Sequence, residues 1–372
     1  MFLNNYKYFT GILIIGLMDL WNSATCCTSV GHQELVTFAI QIETTIKNGN
    51  PAYYNQCFNR EFIINRIVSR EAFKPGDEQT QEFIDVLNQI FDPGALLTNL
   101  VATGGSFTFI RAYQEEGVDK MLFRLSSNEG ISYHEYQVDS YEGKIIITDG
   151  YIFNTGQTVS EMIRNTYHEY VSGLCRYHEV HDLRIHNLMS AGKYRKAYKK
   201  WSSLPESIRH SEKYQLLGIR IAEKIDRKQY FRIYYEFSKY FPEEPGKYLI
   251  PLSGLVWQGY EQEALNNIDK LEDMIQGDPF LHLIRAQIYL KAGDPDGARH
   301  CLNTVIEAMP QCENGYISLL DLCLTRKNYD EATEVLGRLV AAFNAYKEDL
   351  LPLLQNHPEF LESAQYKKWL EN

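Results

Sequence analysis

Ala264, Ala298 and Ala332 recur 34 residues apart, each after a short polar turn and each opening an apolar helical stretch. A period of that length belongs to a helix–turn–helix unit, which is too small to bury its own apolar face and is stable only when a neighbour stacks on it. The C-terminal half is therefore expected to be a linear array of helical hairpins. Small side chains are needed where the two helices of one unit cross with about 8–10 Å between axes. A helical bundle with coincidental alanine spacing would not make turn, small residue and stop recur in phase.

The frame 279–312 places Ala286, Tyr289, Ala298, Leu302, Val305 and Pro310, the last stopping a helix because it has no N–H to donate. Frame 313–346 repeats it with Leu320, Cys323, Ala332, Leu336 and Leu339. Frame 211–244 supplies Tyr214-x2-Leu217-Gly218, then Tyr234, Phe237 and Pro242; frame 245–278 supplies Leu252, Leu255, Ala264, Ile268 and Leu271. A degenerate first unit covers about 178–210, with the turn Ala191-Gly192-Lys193 followed by Ala197, Trp201 and Leu204. Ala197 lies 67 residues before Ala264, one short of two periods, so an irregular connection is expected.

Residues 178–346 thus resemble the tetratricopeptide family. The resemblance implies protein or peptide binding along a concave groove lined by the first helices of successive units. Carried over residue by residue, the groove positions are Glu212, Gln215 and Ile219, then Ser253 and Trp257, then Leu283, Gln287 and Lys291, and finally Asn314, Ile317 and Asp321. Trp257 is the strongest anchor, since buried aromatics dominate interface energetics. The plainer reading of each is an unoccupied solvent face. Leu350 to Leu354, Phe360 and Trp369-Leu370 read as closing helices over 347–372, which cover the last apolar face.

The net charge of −11 argues against a nucleic-acid partner, because phosphate binding requires clustered Lys and Arg. The run Lys193, Arg195, Lys196, Lys199, Lys200 reads as a solvated helix face. At the N-terminus, Lys7 precedes an apolar core, Ile12 to Met18, which is too short to span a bilayer. Asp19 interrupts the pattern, and Ser23-Ala24-Thr25 then precede Cys26. Ser-Ala-Thr-Cys resembles the bacterial lipoprotein box, departing from it at Thr25. The expectation for residues 1–27 is an export signal leading to the periplasm, with Cys26 either lipidated or not; membrane contact would be limited to that lipid or an uncleaved signal. The alternative is a cytoplasmic protein with an apolar first helix. The seven cysteines have neither disulfide-framework nor zinc-knuckle spacing. Cys301 and Cys323 fall on buried repeat positions.

Residues 32–102 read helical. Leu35, Phe38, Ala39, Ile42 and Ile46 share one face of His32–Lys47, which is stopped by Asn48-Gly49-Asn50-Pro51. Helices follow at about 51–57, around Phe62, Ile63, Ile67 and Val68, and at 78–91. From residue 106 the period becomes two, giving strands Ser106–Gln114, Val118–Leu125, Ile131–Asp139 and Lys144–Phe153 joined by Gly-containing turns. This order over 30–165, with Tyr133-His134-Glu135-Tyr136, Gly143-Lys144-Ile145 and Asp149-Gly150, resembles the cone-shaped nuclear-transport-factor-2-like fold. That resemblance implies a mouth used for small ligands, catalysis or protein pairing, and no particular one of these.

His134, Tyr136 and Val138 share one strand face, and a histidine near carboxylates can serve as a general base; a satisfied core histidine is the plainer reading. Cys175-x2-His178-x2-His181 has zinc-ligating residue types on one helix face but no fourth ligand, which favours polar packing. There is no P-loop, G-x-G-x-x-G, G-x-S-x-G or H-E-x-x-H. The expectation is an α+β domain followed by an all-α repeat array (175–346), non-catalytic and without cofactor or metal, acting as a protein-binding scaffold. The alternatives are a small-molecule-binding or enzymatic sheet domain with the repeats for docking or oligomerisation, and a purely structural module.

Overall fold

The computed structural model describes residues 30–60, 62–64, 78–127, 130–171, 175–241 and 246–371. The export-signal reading and Cys26 therefore lie outside the described residues, as do Ile67, Val68 and Pro242. The chain divides into two compact units at Val180/His181.

In the first unit, α1 (His32–Lys47), α2 (Pro51–Cys57), α3 (Glu78–Ile90) and α4 (Pro93–Ala102) precede a meander of β1 (Ser106–Glu115), β2 (Val118–Ser127), β3 (Gly130–Tyr141) and β4 (Lys144–Ile152). A short β5 (Gln157–Thr158) then leads into α5 (Val159–Val171). The sheet is five-stranded in the order β1-β2-β3-β4-β5, every pair antiparallel. Its turns Glu116-Gly117 and Glu142-Gly143 both hold positive φ at two successive residues, as tight two-residue hairpins require. Pro at the first helical positions and Asn50 and Asp92 as N-caps start α2 and α4.

Apolar residues of α1 lie on the sheet. Leu35, Phe38, Ala39, Ile42 and Ile46 are all buried, in one core with Phe107, Met121, Phe123, Tyr136, Val138 and Ile147. Where β1 bulges between Phe109 and Arg111, Glu43 of α1 accepts the Phe109 N–H at 3.0 Å, satisfying a backbone donor that the ladder loses. The opposite face is also buried at Leu122, Arg124, Tyr133 and Phe153, so the inside/outside alternation of a half-exposed sheet holds only in part. Asp149, buried on β4, accepts the backbone N–H of Ser160 at 3.1 Å and its hydroxyl at 2.6 Å, anchoring the start of α5.

The second unit is helical: α6 (Cys175–Ser190, crossing the division), α7 (Tyr194–Ser202), α8 (Glu206–Arg209), α9 (Glu212–Glu223), α10 (Arg227–Tyr240), α11 (Gly246–Leu249), α12 (Leu252–Trp257), α13 (Glu261–Ile275), α14 (Leu281–Ala292), α15 (Pro295–Ala308), α16 (Glu313–Thr325) and α17 (Tyr329–Phe343). The second helices of successive hairpins, α10, α13, α15 and α17, begin at Arg227, Glu261, Pro295 and Tyr329, at the 34-residue period. Tyr194 of α7 starts one residue short of it, as the Ala197–Ala264 offset requires. Ala197, Ala264, Ala298 and Ala332 are all fully buried.

The turns repeat as well. Gly192, Gly259, Gly293 and Lys327 adopt positive φ, and Asp226, Asp294 and Asn328 cap the following helices through their side-chain oxygens. The third unit is irregular: its first helix is split into α11 and α12 around Pro251. Leu350, Leu354, Phe360 and Tyr366, from the 3-10 turn Lys347–Leu350 and from α18 (Leu351–Leu354), α19 (Pro358–Leu361) and α20 (Ala364–Glu371), share the core of the last two units. Among the described residues no helix is long and apolar enough to cross a membrane.

Candidate protein-binding face

The residues expected to line the groove separate by burial. Ser253, Trp257, Gln287, Lys291, Asn314 and Asp321 are exposed, and Ile317 is half-buried. Gln215, Ile219 and Leu283 are buried, so they pack the array and do not line an open face; Glu212 is half-buried. The correction at Gln215 has a local cause. The short helix α8 lies on α9, and Gln215 Nε2 donates to the Arg209 carbonyl at 3.0 Å. Trp201 Nε1 donates to the Tyr214 carbonyl at 2.5 Å, holding the indole against α9. Gly218 makes room for that indole, since a Cβ there would sit 2.4 Å from it. Leu283 joins the apolar core of the last two units, as its aliphatic character at a supposed groove position could have signalled.

The exposed residues of α12 meet α9. Ser253 Oγ donates to Glu223 Oε2 at 3.1 Å, and the Lys224 ammonium stands 5.9 Å from the Trp257 ring centroid. Trp257 is 71% exposed, an unusual state for an indole. Glu223, Lys224, Ser253 and Trp257 thus form one patch across two successive first helices, offering a ring face, a cation and a hydroxyl. Neither Glu223 nor Lys224 was among the expected groove residues. They sit at the C-terminal end of α9, next to the split that brings α12 close. Further along, Asp321 Oδ1 lies 3.5 Å from His357 Nε2 of the C-terminal segment.

In the sheet unit, the face that would line a cone interior is occupied by rings. Phe107 stacks on Phe123 at 4.8 Å, and Tyr54, Phe58 and Tyr136 meet edge to face. The Tyr54 and Tyr136 hydroxyls are 2.5 Å apart, and His134 Nδ1 is 2.9 Å from the Tyr136 hydroxyl. All three are buried, and burial depresses the His134 pKa to about 4 while raising both phenols above their ordinary range. A neutral histidine satisfied by a phenol is a packing arrangement. Glu135, on the other face, accepts from the Tyr113 hydroxyl and pairs with Lys120 at 2.7 Å.

The side chains of Cys175 and His178 lie outside the described ones, and among the described residues no cluster of His, Cys, Asp or Glu could hold a metal ion. Cys301 and Cys323 are buried, as their repeat positions require; burial raises both thiols, Cys323 to about 12.

No known family profile matches the chain, and no curated protein is similar to it. Among solved structures, a thermophilic TPR protein of Thermus thermophilus aligns with 18% identity and a TM-score of 0.33, over 48% of this chain and 95% of its own.

Proposed function

We propose that this protein is a non-catalytic scaffold that binds another protein or peptide along the first helices of a tetratricopeptide-like array. The observation that carries the reading is Trp257, 71% exposed on α12 beside Lys224, in an array whose second helices keep a 34-residue period. Stacked hairpins leave their first helices accessible from one side, and a solvent-facing indole costs free energy that a partner's surface would recover. The binding face in this reading comprises Glu223, Lys224, Ser253, Trp257, Gln287, Lys291, Asn314 and Asp321, with Ile317 at its edge.

The same proposal places the protein in the bacterial envelope, exported by its N-terminal segment and held there by a lipid on Cys26 or released. The sheet domain, read as related to the nuclear-transport-factor-2-like fold, serves as a folded module without a substrate; its ring-filled inner face supports that assignment over a ligand-binding or enzymatic one. Affinity capture from envelope extract tests the binding face. A partner retained by the native chain and lost by both Trp257→Ala and Gln287→Ala is the expected result; retention of every partner by both variants contradicts it.

A further inference from the structure

The charge of the chain is unevenly distributed. Residues 191–240 contain 13 of its 37 basic residues and only 5 of its 48 acidic ones, a local excess of +8 in a chain of net −11. This stretch forms α7 to α10, and the structure sorts its cations by face. On α7 the buried residues are Ala197 and Trp201, and Arg195, Lys196 and Lys199 are exposed. On α10 the buried residues are Tyr230, Ile233 and Phe237. Lys228, Arg232, Tyr235 and Lys239 follow at i, i+4, i+7 and i+11 on the opposite, exposed side.

The two second helices are neighbours, joined through Tyr198: its hydroxyl donates to Gln229 Oε1 at 2.6 Å and accepts from Arg232. Their outer faces therefore make one surface. Among the described residues, Arg195, Lys196, Lys199, Lys228 and Lys239 form no ion pair. Elsewhere in the same unit Arg285, Arg299 and Lys327 are each paired with carboxylates. Tyr235, 60% exposed, stands within the basic stripe, and Tyr240 is exposed at its end.

We infer that this face docks on an anionic lipid surface. Five unpaired cations held on two rigid, adjacent helices keep repelling one another until an external anion neutralises them. Most are lysines, compact point charges suited to a fluid layer of headgroups and not to the paired bonds an arginine fork makes with a fixed carboxylate. A phenol rising from such a stripe fits the polar–apolar boundary of a bilayer, where the ring is buried and the hydroxyl stays wet. The surface lies on the second helices, separate from the first-helix face proposed for protein binding, so either reading can fail alone.

Lysine acetylation of the full chain, read peptide by peptide, tests the inference with vesicles of phosphatidylcholine alone and of phosphatidylcholine mixed with phosphatidylglycerol. Lys196, Lys199, Lys228 and Lys239 are expected to be protected severalfold by the mixed vesicles only, while Lys291 on α14 and Lys367 on α20 keep their reactivity. Replacing the four protected lysines by Gln, all at exposed sites, is expected to weaken the anionic-lipid-dependent binding on the order of a thousandfold. Equal reactivity with and without anionic lipid overturns the proposal, including the case where the N-terminal segment alone holds the chain on both vesicles. Protection by polyglutamate or duplex DNA but not by vesicles overturns it in favour of a macromolecular polyanion.

Discussion

Both units set a large buried ring against a glycine, with different consequences. In the sheet unit, Gly150 faces its strand partner Tyr136, and a Cβ at 150 would lie 2.5 Å from the ring. In the array, Gly254 of α12 faces Tyr230 of α10, and a Cβ there would lie 2.4 Å from that ring. Tyr136 belongs to a closed core that joins residues from Val30 to Tyr167, so nothing around it can move alone. Tyr230 touches a neighbouring hairpin, and hairpins add their stabilities through nearest-neighbour interfaces. The sheet unit should therefore fail as a whole and the array piecemeal.

The largest effect is expected from Gly150→Ala. Overpacking against a ring pinned by strand backbone should cost about 3 kcal/mol and shift the whole sheet transition in urea, leaving the helical transition in place. A similar loss should follow acidification. His134 is buried neutral with its pKa lowered to about 4 from 6.5. Its contribution is intact above pH 6.5 and is lost as pH falls, because the unfolded chain takes up the proton first. About 3 kcal/mol should disappear between about pH 6.5 and 4, and a His134→Gln variant should show a correspondingly flatter acid limb.

Gly254→Ala should cost about 2 kcal/mol, confined to the middle of the array. The cost should shrink when Tyr230 is also made Ala, the residue found at the matching positions 264, 298 and 332. A double-mutant cycle followed by hydrogen exchange localises both. The smallest effect is on capping: Asp294 and Asp226 each accept a backbone N–H from the following first turn, at 2.9 Å, and replacement of either by Ala should cost about 1 kcal/mol. Both Ala variants should raise exchange in the hairpin they cap without disturbing the sheet.

This contrast also explains what the sequence revealed. Regular repeats leave a regular trace, so Ala197, Ala264, Ala298 and Ala332 mark four of the five second helices, α7, α13, α15 and α17, and the hairpin glycines mark the strands. Where packing replaces the rule, the trace is lost. Tyr230 stands at an alanine position because Gly254, two residues beyond the expected register, makes room for it. Helix α8, four residues opening on Pro205-Glu206, is too short for any periodicity, yet it covers Gln215 and removes it from the open face. Only register puts Ile219 and Leu283 on the groove, and register cannot say which side of a helix a neighbour covers. Of the basic stripe, only the run Lys193 to Lys200 is contiguous in sequence, where it reads as a solvated helix face; its continuation onto α10 depends on the Tyr198 hydroxyl, which joins Gln229 and Arg232 to α7.

Site-specific photo-crosslinking reports most directly on the proposed binding face. A benzoylphenylalanine at position 257 of α12 and one at exposed Glu307 of α15, a second helix, should give opposite results in cells. The account predicts a discrete polypeptide adduct from position 257 and none from 307. Equal labelling from the two positions, or none from 257, would contradict it.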